Sequence, residues 1–473
     1  MLKVKDETFQ KQISLLYKYQ QEHLLKWWEE LNEVEKEEFS NQILKIDLPL
    51  IDELIKEHLL KPEKEDVFEK KELLPPEIIP VPITGEDLDK EREAKTIGEL
   101  ALKNGEVGCF LVAGGQSTRL GYDAPKGIYP IGPVTDRTLF QIHAEKIKAL
   151  SERYSVKIPW YIMTSKYNHE QTVKFFKMYQ FFGLPSEDVK FVVQGMMPAV
   201  DIKGKMILER KNHIFENPNG HGGTILAIRD SHYLEDMKSR GVKYLFYFQV
   251  DNAFLKIADP IFIGHHILNK SSMSAKVVAK KYPEEKIGLV GYINGKLVVI
   301  EYSELTKEEV YTKNEDGSLK FNAGSPAIHI LSISFIEDIL NKKAKLKYHK
   351  AFKEMPYLNE EGKTVTAIKP NGYKFETFIF DLFPEAKNVT LMEVSRFEEF
   401  SPLKNKEGED SPLEVKKNLT KLYASWIKDS GIKIPSDKEG NIKGFIEVSP
   451  LYALDQEEFV KKAKGRSFQR IWK

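Results

Sequence analysis

The sequence predicts an α/β protein with a largely parallel sheet, preceded by a helical segment. Two patterns predict it. From Val107 to Val193, short apolar runs alternate with amphipathic stretches of about a dozen residues, the pattern of crossover units that set strands side by side and helices over the sheet faces. Before them, from Thr8 to about Leu60, Leu15, Leu16, Tyr19, Leu24, Leu25, Trp28 and Leu31 recur at spacings of three and four, the helical period. With 473 residues the chain has room for about three domains of about 150 residues and for a large core.

Taken in order, the N-terminal stripe, including Trp27 and Trp28, reads as core packing. Lys61 to Pro82 is rich in charge and proline, with Pro75-Pro76, Pro80 and Pro82, and reads as a linker. Thr84 with Asp87 three positions on opens a helix that Asn104-Gly105 closes. Then come a strand at Val107–Val112, a helix over 139–150, a strand over 160–163, a helix over 169–182 and a strand over 189–193. A short helix over 225–231 precedes the strong strand Tyr244–Val250. Short strands around Asn294-Gly295, a hairpin signal, occupy 275–304. Gly372 to Phe383 reads as a strand with Phe378 and Phe380 on one face and Asp381 on the other; 415–428 is helical, and 444–448 is a strand of a small C-terminal domain.

Composition sets limits. Hydrophobic residues at 41%, charged residues at 30% and a mean hydropathy of -0.41 describe a soluble globular chain. Lysine plus arginine equals aspartate plus glutamate, 71 each, so no global field points to nucleic acid or an anionic membrane, and a phosphate site has to be local. The single cysteine, Cys109, lies in an apolar strand and excludes an intramolecular disulfide framework and a cysteine zinc cluster. No apolar run approaches the roughly 18 residues of a membrane span and the N-terminus lacks a signal peptide's apolar region, so the reading is a cytoplasmic protein.

The chemistry begins where the strand Val107–Val112 meets a glycine loop. Gly114 and Gly115 let the backbone approach a ligand and take positive φ, so that successive N–H groups converge on phosphate oxygens, and Arg119 and Lys126 supply charge. Two familiar loops are excluded: no G-x-G-x-x-G is present, and Gly115 to Gly121 is one residue too long for a P-loop. The pattern that fits is Gly114-Gly115-Gln116-Ser117-Thr118-Arg119-Leu120, then Pro125-Lys126-Gly127, the signature of sugar nucleotidyltransferases.

Further candidates sit at strand ends, where ligands gather in such sheets. Gln194 presents a donor and an acceptor side by side, matching a uracil edge, or is an ordinary loop residue. Asn217 to Thr224 is a glycine-rich turn before a helix; His221 within it is structural or functional. Asp251 and Asp381 are read as carboxylates for a magnesium ion completed by water and phosphate, Asp251 alternatively as a cap. Glu301 and Asn322 can accept from sugar hydroxyls. Lys404, in the turn Glu399 to Asn405, is by itself a solvated lysine.

Together these residues resemble the UDP-N-acetylhexosamine pyrophosphorylases, within the UTP:sugar-1-phosphate uridylyltransferases. The resemblance runs from Leu24-Leu25-Lys26-Trp27-Trp28 through Pro218-Asn219-Gly220-His221-Gly222-Gly223, Val250-Asp251-Asn252, Glu301-Tyr302-Ser303-Glu304 and Asn371 to Glu376, to Phe400-Ser401-Pro402-Leu403-Lys404-Asn405. It implies a central Rossmann-like mixed sheet of the nucleotide-diphospho-sugar transferase type over 105–400, an N-terminal helical segment and linker over 1–104, and a small C-terminal domain over 401–473. It further implies that the glycine loop, Arg119 and Lys126 bind the UTP phosphates, that Gln194, Gly220 and His221 hold the nucleotide, and that Asp251 and Asp381 hold Mg²⁺. Asn252, Gly288, Glu301, Asn322, Phe378 and Phe380 would bind the N-acetylhexosamine, and Lys404 the sugar phosphate.

Two departures stand out. Ser117 replaces the usual glycine, at a cost of about 1 kcal/mol if the loop is left-handed there. Ser325-Pro326 replaces Asn-Ile after Gly324, beside Asn322, and bears on sugar choice. The implied reaction, attack of N-acetylglucosamine 1-phosphate on the α-phosphorus of UTP, starts from an anionic nucleophile and needs no general base. The rival readings are a broad-specificity UDP-sugar pyrophosphorylase, a non-catalytic UDP-sugar-binding protein, and a nicotinamide oxidoreductase, the last disfavoured by the missing fingerprint.

Overall fold

The computed structural model describes residues 1–60, 72–115, 117–342, 346–435 and 442–464. Residues 61–71 of the expected linker and Gln116 of the glycine loop therefore lie outside the described residues. The chain forms two compact units. The larger comprises Glu72–Val193, Ile225–Ala344 and Leu382–Lys473, the smaller Met1–Lys71, Gln194–Thr224 and Lys345–Asp381. The N-terminal helices thus group with two later segments, and the edges expected at 104 and 400 do not coincide with those of the units.

The larger unit is built on an 11-stranded sheet. Its strands in chain order are β1 (Leu73–Leu74), β2 (Val107–Val112), β3 (Trp160–Thr164), β4 (Val189–Val193), β5 (Tyr244–Gln249), β6 (Met273–Ala279), β7 (Leu289–Ile293), β8 (Lys296–Ile300), β9 (Ala323–Gly324), β10 (His329–Ser332) and β11 (Val389–Glu393). They lie in the order β1-β7-β9-β6-β10-β5-β2-β3-β4, with β8 on β7 and β11 on β6. β5, β2, β3 and β4 are mutually parallel, whereas β10 runs antiparallel to both β5 and β6, so the sheet is mixed.

Cys109 pairs across both neighbours of β2, with Phe246 and Trp160. Burial on both faces explains why β2 reads as a continuous apolar run instead of alternating. The Cys109 thiol is fully buried and its pKa is pushed up by that burial, which makes it a structural residue.

The helix Gly85–Lys103 begins in the expected capping box. The Thr84 hydroxyl accepts from Asp87 N, and the Asp87 carboxylate accepts from Thr84 N. The helix ends at Asn104 and left-handed Gly105. It crosses the helix Pro260–Leu268 backbone to backbone: a Cβ at Gly98 would stand 1.8 Å from Pro260 O, and one at Gly264 1.7 Å from Ala94 O.

The C-terminal segment differs from expectation. Residues 444–448 join no sheet, because Ile446 hydrogen-bonds through its N–H to the Thr420 hydroxyl on the helix Pro412–Asp429. Ile446, Val448 and Phe459 belong to the same core as the sheet.

In the smaller unit, the helices Glu7–Lys18, Glu33–Leu44 and Leu48–Ile55 cover a three-stranded sheet of Tyr348–Lys353, Gly372–Thr377 and Val200–Asp201. Phe9, Trp28, Phe39 and Phe375 fill the core between them. The strand from Gly372 stops at Thr377, short of the expected Phe383, and 379–385 is a 3-10 turn. Asp381 causes the stop: its N–H donates to Phe378 O and its carboxylate accepts from Phe378 N. Phe378 and Phe380 consequently do not share a strand face.

Candidate functional site

In the larger unit three chain segments meet around Lys126. The first is the glycine loop after β2. Gly115 faces open space: among the described residues, its chain neighbours aside, no atom lies within 4 Å of where a Cβ would stand. Ser117 has φ -82, so the departure from glycine carries no left-handed cost, and its hydroxyl ties the loop by donating to Ala124 O at 2.9 Å. The left-handed position is Gly121, φ 61, which closes the turn Thr118–Leu120 and leaves Arg119 exposed.

The second segment follows β5, and the third is the turn at 399–404. Lys126 Nζ lies 3.6 Å from Asp251 Oδ2 and donates to Leu403 O at 3.3 Å. Leu403 N in turn donates to Asp251 O at 2.8 Å. Among the described residues no helix begins on Asp251, which lies in a turn at 250–251. Asn252 is buried and its amide is tied to the protein, one N–H donating to Glu399 O at 2.6 Å and Oδ1 accepting from Phe254 N and Ser401 N. It braces the turn that carries Lys404, whose ammonium lies 5.8 Å from the Phe400 ring centroid.

Below that turn Lys276, with no exposed surface, donates to Asp259 and Glu399, each at 2.6 Å. Burial pushes the Asp259 carboxyl up, but Lys276 and Lys256 prevail and hold it below its ordinary value. Sequence reasoning missed this triad, and also Glu447. The Glu447 carboxylate accepts from Val134 N, Thr135 N and Arg137, and so holds the hairpin that follows Lys126. No sequence signal links positions some 310 residues apart.

The sugar-side candidates of this unit cluster at the β7–β9 end of the sheet. A Cβ on Gly288 would meet Val299 at 2.8 Å and would stand 3.9 Å from Glu301 Oε1. Ser325 N donates to Gly288 O at 2.8 Å, and Asn322 Oδ1 accepts from Lys280 N at 2.7 Å. After Pro326, Ala327 takes a left-handed φ of 56.

The smaller unit gathers the remaining candidates. Gln194 Nε2 donates to Gly220 O at 2.6 Å, and Gly220 has φ 84 with Thr377 O only 2.2 Å from a Cβ position, so two constraints demand glycine there. The buried Oδ1 atoms of Asn217 and Asn219, in the same turn, have no hydrogen-bond partner among the described residues. His221 stacks near Phe378 and Phe380, with centroids at 5.1 and 5.5 Å, and its Nδ1 accepts from Ile379 N. That bond places the ring proton on Nε2. Burial, opposed by Asp381 and reinforced by His349, lowers the His221 pKa to about 4. Asp381 is paired with His349 Nε2 at 2.9 Å, a partner sequence reasoning missed.

Two more buried histidines behave alike. Burial, with help from Lys146, brings His143 to about 3, and burial brings His266 to about 3. The folded pKa values lie below the unfolded value of about 6.5, so the unfolded state binds more protons below that pH. Stability is therefore full above pH 6.5 and falls as pH drops toward 4, by up to roughly 1.4 kcal/mol per pH unit for each histidine. Urea midpoints measured from pH 7 to pH 4.5 check this; replacing His266 with Gln should flatten the slope.

The donor set bears on a divalent cation. Among the described residues no group of three His, Cys, Asp or Glu could cage a metal. A single carboxylate at Asp251 beside an ammonium fits Mg²⁺, which keeps its waters and arrives largely on phosphate oxygens.

A family model described as UTP–glucose-1-phosphate uridylyltransferase matches residues 52–462. A human protein named UDP-N-acetylhexosamine pyrophosphorylase-like protein 1 is 36% identical over 95% of this chain and 94% of its own length. The UDP-N-acetylglucosamine pyrophosphorylase of Saccharomyces cerevisiae is 38% identical over 83% of this chain and 84% of its own. The crystal structure of the uridine diphosphate N-acetylglucosamine pyrophosphorylase from Trypanosoma brucei superposes with a TM-score of 0.81 at 24% identity, over 97% of this chain and 95% of that one, a likeness of fold. Among the described residues no helix is long and apolar enough to cross a membrane.

Proposed function

The chain belongs to the UTP–glucose-1-phosphate uridylyltransferase family, and from that premise we propose that it forms UDP-N-acetylglucosamine and pyrophosphate from UTP and N-acetylglucosamine 1-phosphate. The observation that carries the reading is the convergence on Lys126 of the glycine loop, Asp251 and the turn bearing Lys404. The choice of an N-acetylated sugar rests on the names of the relatives and on the Pro218 to Gly223 turn.

A phosphate oxygen of the sugar 1-phosphate attacks the α-phosphorus of UTP in line. The new P–O bond forms as the α–β bridging bond breaks, and the electron pair leaves with pyrophosphate. The nucleophile is already anionic, so no residue has to remove a proton. The chain's work is to align two polyanions and to offset the charge that spreads over the transferring phosphoryl group. Lys126 and Arg119 act on the nucleotide phosphates, with the amides of the loop behind them, and Lys404 acts on the sugar phosphate. Mg²⁺, with Asp251 as a ligand, would neutralise triphosphate charge. Asp381 is the smaller unit's carboxylate for such an ion, and it is paired with His349 Nε2 at 2.9 Å.

Gly114, Gly115, Gln194, Gly220 and His221 are assigned to the nucleotide. Gly288, Glu301, Asn322, Phe378 and Phe380 are assigned to the hexosamine, while Asn252 positions the Lys404 turn. The reverse reaction tests this: incubated with UDP-N-acetylglucosamine, pyrophosphate and Mg²⁺, the protein should release UTP. Binding of UDP-N-acetylglucosamine with no UTP formed would leave a binding protein instead.

A further inference from the structure

The larger unit contains a cavity of about 640 Å³ bordered by the helix Leu139–Tyr154, residues 253–261 and the helices Pro412–Asp429 and Gln456–Ala463. Its size is that of a small-molecule site. Much of the wall is apolar, with Leu150, Phe254, Leu422, Trp426 and Leu454. The other wall cations are matched: Lys95 lies 2.7 Å from Glu457, Arg153 2.9 Å from Asp455, and Lys256 2.7 Å from Glu398.

Lys146 differs. Its Nζ donates to two carbonyls, Ala253 O at 2.6 Å and Leu255 O at 2.8 Å, and the carboxylate whose charge acts on it, Glu399, is already held by Lys276 at 2.6 Å. An ammonium has three N–H groups, and among the described residues two are taken, which leaves one for something else.

We propose that this cavity binds a small organic carboxylate on an apolar body, the carboxylate accepting from Lys146 and the body lying against Leu422 and Trp426. The wall also carries Glu91 and Asp429, while Asp259, Glu398, Asp455 and Glu457 are paired with Lys276, Lys256, Arg153 and Lys95. The carboxylate is selected locally by Lys146, a half-buried ammonium bonded to carbonyls that gains most from a hydrogen-bonded anion. The apolar wall selects the body and disfavours a sugar or nucleotide. Ala253 and Leu255 follow directly on Asp251 and Asn252, so the occupant is tethered to the segment that serves the reaction.

The groups facing Lys146 settle its protonation. Burial lowers it, Glu399 opposes and Lys256 reinforces, leaving its pKa at about 7, and His143 on the same helix is neutral. At pH 7.5 a carboxylate that pairs with it therefore draws in a proton.

Isothermal titration of the full chain with 2-naphthoate, and with neutral 2-naphthamide, tests the site at pH 7.5 in HEPES and in Tris. The expected result is one site per chain, with the amide at least tenfold weaker. The enthalpy should differ between buffers by the uptake of about half a proton or more. Lys146→Met should abolish the uptake and weaken binding at least tenfold. Leu422→Trp, which fills the wall and keeps the ammonium, should also block binding; unfolding curves identify any variant that fails to fold. Equal affinity for the amide, a buffer-independent enthalpy, displacement by UTP, or unchanged binding to folded Lys146→Met would overturn the proposal.

Discussion

Lys126→Ala is expected to lower kcat by about 10²–10³-fold at saturating UTP, the loss typical of deleting one preorganised donor from a charged transition state. Its ammonium stands 3.6 Å from Asp251 and is fixed by Leu403 O, so its position does not depend on substrate binding. The side chain is 18% exposed, which places it at an opening in the protein and makes truncation mild for the fold. The unfolding midpoint should stay close to that of the parent, and Lys126→Arg should recover part of the rate because the charge returns with a different shape. Turnover of Lys126→Ala within tenfold of the parent would remove Lys126 from the machinery.

Gly98→Ala should be among the most damaging single methyl groups, alongside Gly264→Ala in the same crossing. At 1.8 Å from Pro260 O the new Cβ meets backbone, which cannot rotate away, so the helices Gly85–Lys103 and Pro260–Leu268 have to separate. Overpacking costs about 1–3 kcal/mol in cores that adjust, and this contact has little means to adjust, which puts the expected loss at about 3 kcal/mol or more. The same change at Gly85, where nothing lies within 4 Å, should shift stability by less than about 1 kcal/mol. Urea denaturation of the two variants side by side decides the matter. Equal midpoints would mean that the helices are not in backbone contact.

That contact shows what sequence can and cannot disclose. The strands β2 to β5, the capping box at Thr84 and the Asn294-Gly295 turn were legible because each is a local rule of period, capping or turn chemistry. Gly98 reads only as a poor helix former until Pro260 is seen beside it. The strand expected to reach Phe383 stopped at Thr377 because a carboxylate turned back on its own backbone, an interaction that β-propensity does not describe. Residues 444–448 have a strand's composition, yet Thr420 takes the hydrogen bonds of Ile446.

The site divides in the same way. The loop with Ser117, Arg119 and Lys126 was legible as a motif, and Asp251 as a carboxylate at a strand end. What holds them was not: Asn252 under the Lys404 turn, Lys276 between Asp259 and Glu399, and Glu447 on the hairpin after Lys126 are contacts between segments distant in the chain. Asn252 illustrates the limit most clearly. Its place after Asp251 suggests a group offered to substrate, whereas its amide is bonded to Glu399, Phe254 and Ser401.

The central claim is uridylyl transfer to an N-acetylated sugar phosphate, and release of pyrophosphate from UTP and Mg²⁺ with a panel of sugar 1-phosphates tests it most directly. The account predicts fast release with N-acetylglucosamine 1-phosphate, slower release with glucose and galactose 1-phosphates, and none without a sugar phosphate. Equal rates across the panel would contradict the assigned sugar, and no release with any member would contradict the reaction itself.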